Sequence, residues 1–152
     1  MKAPYRMLCQ QMKEHGVKPR RIPKKQLVAF TCQRENGAYS VIAYVEDSLV
    51  VAAVRSPFRG QPGCFPSLAE AICRINRDLK FGRFDIDFDD GTIGCKATSF
   101  FSRSLSDEVI EAVVASTIDL MDKFLPSFLS IQYANDHPES AVKRAWANLR
   151  TE

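Results

Sequence analysis

The sequence is poor in the residues and spacings from which metal sites are commonly built. Its 152 residues include two histidines, His15 and His137, and its five cysteines are scattered, so that no Cys-x-x-Cys pair occurs. Zinc sites usually take their ligands from closely spaced cysteines or histidines. We therefore expect no metal and no cofactor, and we interpret the cysteines as buried apolar residues in a reducing compartment.

Catalytic motifs are missing as well. The sequence contains no Gly-x-Ser-x-Gly, no Walker lysine loop and no His-Glu-x-x-His. The acidic run from Asp85 to Gly91 departs from a calcium loop, because its sixth position is Asp90 and its twelfth is Lys96 where glycine and glutamate are needed. A cysteine and a histidine brought together by folding remain an alternative without a local signature. We predict no catalytic residues and no enzymatic activity.

Long apolar runs are absent, and this bears on location and domain count. No run approaches the roughly 20 apolar residues that a membrane span needs, and Met1–Arg6 is not followed by the apolar core of a secretory signal. We expect a cytoplasmic protein without membrane contact. Hydrophobic residues make up 45% of the chain and charged residues 26%, as is typical of globular proteins. A single domain over residues 1–152 is therefore predicted.

Charge is present in quantity but is unevenly distributed. Residues 1–80 carry 14 Lys and Arg against 6 Asp and Glu, whereas residues 81–152 carry 7 against 12. Such opposed charge could steer an acidic partner or favour head-to-tail association of two copies.

The positive charge is densest in a basic tract at residues 18–25. Its cations are Lys18, Arg20, Arg21, Lys24 and Lys25. With its two prolines the tract is interpreted as an exposed, extended connector and not as a packed element. The alternative is a patch that binds nucleic acid with a steep dependence on salt. Aromatic residues, which readers of single strands place among their charges, do not occur in the tract.

Periodicity and turn residues predict a chain of alternating helical and extended segments. The first helix runs from Pro4 to His15, and a second carries apolar residues at helical spacing from Leu68 to Leu79. A long third helix opens at Ser106, and a last helix begins near Asp136 and reaches Leu149. Predicted strands lie at Leu27–Arg34, Tyr39–Val45, Leu49–Val54, Phe84–Phe88 and Thr92–Phe101.

The predicted order of elements is α-βββ-α-ββ-α-α. Strands that are grouped between helices are typical of an α+β domain, so we predict a five-stranded antiparallel sheet with helices packed on it.

The second and third strands are apolar on both of their faces. Val41 and Val45 lie on one face, and Ile42 and Tyr44 lie on the other. A meander with one face in water should alternate apolar and polar residues instead. We therefore predict a second covering layer, formed by a partner subunit or by a bound polypeptide.

Four residues are predicted to contact that partner. Ile42 and Tyr44 share the face opposite Val41 and Val45, and Phe58 and Phe65 lie in the proline-rich loop of residues 56–66. For the two phenylalanines the alternative is that they cover the edge of the sheet.

Two runs of sequence resemble the YbjN-like family of small bacterial proteins. Ile75–Phe84 resembles the family's "IN-x-x-L-x-FG-x-F" run, and Met121–Pro126 resembles its "MD-[KR]-[FY]-LP" helix end. The resemblance covers roughly residues 3–146. It implies a fold similar to that of type III secretion chaperones, frequent dimers and the label of a sensory transduction regulator. It carries over no catalytic or ligand residue, and a shared fold does not transfer a function.

The resulting hypothesis is a cytoplasmic, non-enzymatic binding module, chaperone-like or regulatory, that forms a homodimer and recognises a polypeptide. The alternative is a nucleic-acid-binding or regulatory protein that acts through the basic tract.

Overall fold

A computed structural model describes residues 2–148 of the chain, and Leu149 lies outside them. Over this range the chain forms four α-helices and six β-strands. The strands are β1 (Arg20–Ile22), β2 (Leu27–Gln33), β3 (Ala38–Glu46), β4 (Leu49–Arg59), β5 (Arg83–Ile86) and β6 (Thr92–Phe100). The helices are α1 (Ala3–Glu14), α2 (Phe65–Asp78), α3 (Asp107–Ala134) and α4 (Pro138–Ala147).

All six strands belong to one antiparallel sheet with the order β1-β2-β3-β4-β6-β5. The prediction of an α+β domain with helices on an antiparallel sheet is confirmed, but five strands was wrong. The additional strand is β1, which lies inside the basic tract that was predicted to be an unpacked connector. Pro19 and Pro23 flank the three residues of β1, so every residue that pairs with β2 retains its backbone N–H.

The helix α3 covers one face of this sheet. Its start is capped by Ser106, whose Oγ accepts a hydrogen bond from the Val109 N–H at 3.3 Å, and Asn135 ends it in the left-handed conformation. α3 contacts β3, β4 and β6 as well as the other three helices. Buried residues of all four helices and of this sheet face form one core. Within residues 2–148 no helix is both long enough and apolar enough to cross a membrane.

A close contact between two glycines fixes the β5–β6 hairpin to the end of β4. The Gly60 N–H donates to the Gly91 carbonyl oxygen at 2.7 Å, and Gly91 has a φ of +79°. A Cβ atom on Gly91 would lie 2.1 Å from the Gly60 oxygen. The dipeptide Asp90-Gly91 is a typical hairpin signal in the sequence, and the structure confirms a turn here between β5 and β6. Only glycine fits both the backbone conformation at position 91 and this contact.

Asn76 of α2 occupies the outer edge of β5. Its Nδ2 donates to the Phe84 carbonyl at 2.9 Å, and its Oδ1 accepts from the Phe84 N–H at 2.8 Å. The side chain thus satisfies both backbone groups of a residue whose own ring is buried against Phe124 and Phe128. Two backbone groups that would otherwise be open to another strand are consequently already paired.

We expect Asn76→Ala to lower the free energy of unfolding by about 2 kcal/mol, because it leaves the partly buried N–H and carbonyl of Phe84 without partners. Urea denaturation followed by circular dichroism measures the change. Arg77→Ala, an exposed position next to it on α2, serves as the control and should stay within about 0.5 kcal/mol of the wild type. Equal stability of the two variants would contradict a structural role for the Asn76 side chain.

Burial on the core side of β6 raises the pKa of the Cys95 thiol from its ordinary value of 9.0 to about 12, and the negative charge of Asp85 adds to the effect. Above pH 9 the unfolded chain therefore releases a proton that the folded chain retains. We expect this residue to remove about 1 kcal/mol of stability between pH 8 and pH 10. In Cys95→Ala the free energy of unfolding should therefore fall less between pH 8 and pH 10 than in the wild type. Urea midpoints at the two pH values measure the difference. Identical pH dependence of the variant and the wild type would refute the assignment.

Candidate protein-interaction face

The face of the sheet that points away from the helices, here called the open face, carries an apolar strip. Residues that pair across strands lie on the same face, so the register identifies its members. Ile22, Leu27, Tyr44 and Val51 form one row, and Ala29, Ile42 and Ala53 form the next. Leu49 lies at the end of the strip, opposite Phe100 on β6.

The side chains of the apolar strip do not belong to the hydrophobic core. Ile42 is 37% exposed, and Phe100, opposite Leu49 at the end of the strip, is 80% exposed. Val41 and Ala43, which alternate with Ile42 along β3, are buried by the helices. Val51 is buried on the open face, with Tyr44 directly across from it. Within the described residues, the helices pack on one side of the sheet and leave the apolar strip uncovered.

The structure brings together two of the four predicted partner contacts. Ile42 and Tyr44 both lie on the open face, as their alternation along β3 predicts. Phe58 instead packs half-buried against the core, with its ring centroid 6.2 Å from that of Tyr133. Phe65 opens α2 and lies 5.4 Å from the Phe88 ring. Binding of a partner by any of these residues stays a prediction.

The cations of the basic tract do not share one surface. Arg20 pairs with Ala29 and lies on the open face, whereas Arg21 pairs with the buried Val28 and lies on the side of α1. Lys24 and Lys25 occupy a short 3₁₀ turn at the end of β1. Lys18 precedes β1 and is exposed. The tract is thus divided between two faces and one end of the sheet.

Three other cations form a group that was not predicted. Arg55 on β4, Lys96 on β6 and Arg83 on β5 lie on the open face next to the apolar strip, and are called the cationic corner below. Lys96 is directly opposite Ala53 on one side and Arg83 on the other. These residues are far apart in sequence and belong to no charged run. Only the order and register of the strands bring them together.

A cavity of about 710 Å³ lies between α3, α4 and the β2–β3 turn. Two aspartates that line it, Asp119 and Asp122, form contacts that hold this turn to α3. Asp122 accepts hydrogen bonds from the Tyr39 hydroxyl at 2.6 Å and from the Asn36 N–H at 2.9 Å. Asp119 forms an ion pair with Arg34 at 3.3 Å. Asp122 thus anchors the turn between β2 and β3.

Lys123, which also lines this cavity, lies over the Trp146 ring, with its Nζ 3.8 Å from the ring centroid. Burial lowers the pKa of this ammonium group below its ordinary value. Within residues 2–148, no group of three or more His, Cys, Asp or Glu side chains is arranged to hold a metal ion.

Comparison with known proteins gives a family and a similar fold. Residues 4–130 match the YbjN family, which is described as "Putative bacterial sensory transduction regulator". A solved structure described as "Crystal structure of YbjN, a putative transcription regulator from E. coli" is similar with a TM-score of 0.58. The alignment has 11% identity and covers 78% of this chain and 85% of that chain, so it bears on the fold alone. A comparison with curated proteins finds no match.

Substitutions on the two faces of β3 test the assignment of the open face. We expect Val41→Thr to lower the free energy of unfolding by about 2 kcal/mol, since it places a hydroxyl in the core. Ile42→Thr, the same kind of change one residue along, should cost less than about 1 kcal/mol because this side chain lies outside the core. Urea denaturation of both variants measures the difference, and an equal loss at both positions would contradict an uncovered face.

Proposed function

Because the chain belongs to the YbjN family, whose members are described as regulators, we propose that it is a regulatory protein that acts by binding a polypeptide and not by catalysis. The observation that supports this proposal is the apolar strip on the open face. Central strands normally present apolar residues to a covering layer, and here the helices cover only one side. The proposed role of the open face is to receive that second layer from another chain.

The surroundings of the apolar strip fit a surface for protein contact. Its members are aliphatic residues with one tyrosine at the centre, and charged residues such as Arg20, Glu46 and Lys96 lie around it. An apolar centre with a polar rim is the usual composition of protein interfaces. Contiguous apolar patches on a monomer commonly mark such sites.

The nucleic-acid alternative has less support, because the basic tract does not present its cations on one surface. A strand of nucleic acid would need several of them within reach at once. Arg20 and Arg21 instead point to opposite faces of the sheet. A chaperone-like activity and the similarity to type III secretion chaperones remain predictions.

Site-specific photo-crosslinking in bacterial cells tests the proposal. A photoreactive residue at Thr98, which is exposed on the open face opposite Val51, should give a defined protein adduct. The same residue at Gln10, exposed on α1, should not give that adduct. Ile42→Lys should abolish the Thr98 adduct, because a charge in the centre of the strip cannot be buried without a partner. An adduct that survives Ile42→Lys, or no adduct at Thr98, would contradict the proposal.

Light scattering coupled to size-exclusion chromatography shows whether the partner is a second copy of this chain. The chain has a mass of 17.1 kDa, and the predicted homodimer would have twice that mass. If the open face forms the dimer, Ile42→Lys should convert it to a monomer, and the Thr98 adduct should consist of two copies of this chain. A dimer that Ile42→Lys leaves intact would use another surface.

A further inference from the structure

The chemistry of the partner segment can be inferred from the charges beside the apolar strip, given the proposed function. By register the open face carries five cations, Arg20, Arg55, Arg59, Arg83 and Lys96, against two carboxylates, Glu46 and Asp85, among the described strand residues. The positive charge of this face is densest at the cationic corner. Like charges directly opposite each other on neighbouring strands destabilise a sheet, and Lys96 is directly opposite Arg83.

The positive charges of the cationic corner are largely uncompensated by nearby carboxylates. Within residues 2–148 none of the three cations forms an ion pair with a carboxylate. Asp85 lies beside Gly94, with a carboxylate oxygen 3.3 Å from the place where a Cβ would stand. Hydrogen bonds from Thr92 lower the pKa of Asp90, and the charges of Arg59 and Arg55 contribute. The charge of Arg55 is thus partly balanced by the Asp90 carboxylate. Lys96 and Arg83 instead lie directly opposite each other.

The backbone of the sheet restricts the shape of a segment that can bind here. Strands β3, β4 and β6 have neighbours on both sides, and β1 pairs with the first three residues of β2. The backbone groups of β2, β3 and β4 beneath the apolar strip are therefore already paired. At the outer edges, Pro19 and Pro23 flank β1, and Asn76 occupies the N–H and carbonyl of Phe84 on β5. A segment on the open face must therefore satisfy its own backbone hydrogen bonds, as a helix does.

The dimensions of the strip also suit a helix. The strip extends from Ile22 on β1 to Val51 on β4, and four neighbouring strands span about 15 Å. An α-helix with its side chains is about 10 Å across. Three helices of this chain, α1, α2 and α3, already pack on the other face of the sheet.

We propose that the open face binds an amphipathic helix of a partner protein, with an apolar stripe that packs on the apolar strip and acidic side chains that lie against the cationic corner. The acidic side chains would complement Lys96 and Arg83, which repel each other in the free protein. This inference rests on the proposed function and adds to it the conformation and the charge of the bound segment.

Two synthetic peptides of about 18 residues, or five helical turns, provide the probe. They share a leucine stripe at helical spacing and differ only in the residues along one flank, which are glutamate in one and glutamine in the other. At about 50 mM salt we expect the glutamate peptide to bind about tenfold more tightly, the ratio that two or three exposed ion pairs give together. At about 300 mM salt this ratio should shrink. Isothermal titration calorimetry measures both affinities.

Lys96→Glu separates binding from folding. It places an acid opposite Arg83, so the urea midpoint should not fall, while the preference for the glutamate peptide should disappear. The control is the double variant Lys13→Glu and Arg77→Glu, which makes two charge reversals at exposed positions on α1 and α2 and should keep the preference. Ile42→Lys should weaken the binding of both peptides.

The outcomes distinguish this inference from the proposed function. If the two peptides bind with equal affinity and Ile42→Lys binds neither, the inference that the partner is acidic is refuted. The proposal that the open face binds protein would still stand. Failure of both peptides to bind would overturn the inference, and the Thr98 adduct would still decide the proposed function. A dimer that Ile42→Lys dissociates and that excludes both peptides would show that a second copy occupies the face, and would also overturn the inference.

Discussion

The packing of α3 on one face of the sheet is the interaction on which the rest of the structure depends. This helix contacts three strands and the other three helices, and it contributes Phe124 and Phe128 to the aromatic cluster around Phe84. Because every helix takes part in one core, the helical layer is complete on that side. Among residues 2–148 no helix remains to cover the opposite side, and the open face with its apolar strip is the direct result.

The proposed binding role follows from apolar side chains on a face of the sheet that no helix among residues 2–148 covers. Ile42, Tyr44 and Val51 have the β-branched and aromatic side chains that favour strands, and they would suit the middle of a two-layered core. In the isolated chain Val51 is buried but Ile42 is 37% exposed, so the outer side chains of the strip gain further hydrophobic stabilisation only when a second surface covers them.

Much of the fold could be predicted from the sequence, because apolar period and turn residues are local signals. The four helices, five of the strands and the turn at Gly91 follow from them. The strand β1 could not, since two arginines between prolines carry no apolar alternation, and only pairing with β2 makes them a strand. The position of Ile42 and Tyr44 on a face of their own was also a local inference, from alternation along a single strand.

The remaining parts of the site depend on contacts between distant residues. Arg55, Arg83 and Lys96 come together through the register of β4, β6 and β5, which no local pattern reports. The role of Asp122 likewise depends on distant residues, because only the fold places Tyr39 and Asn36 beside it. Phe58 and Phe65 were singled out by their proline-rich loop, but loop composition does not tell which side of the sheet a ring will reach.

The occupied edge of β5 limits how large an assembly of this protein can become. A sheet with free edges can add strand after strand and so grow into a fibre. Here Asn76 occupies the backbone groups of Phe84 at one edge, and the other edge strand, β1, has three residues flanked by prolines. Association through the single open face, by contrast, is finished once that face is covered. One chain would therefore take up one partner, and the complex would keep a fixed, small stoichiometry even where the protein is abundant.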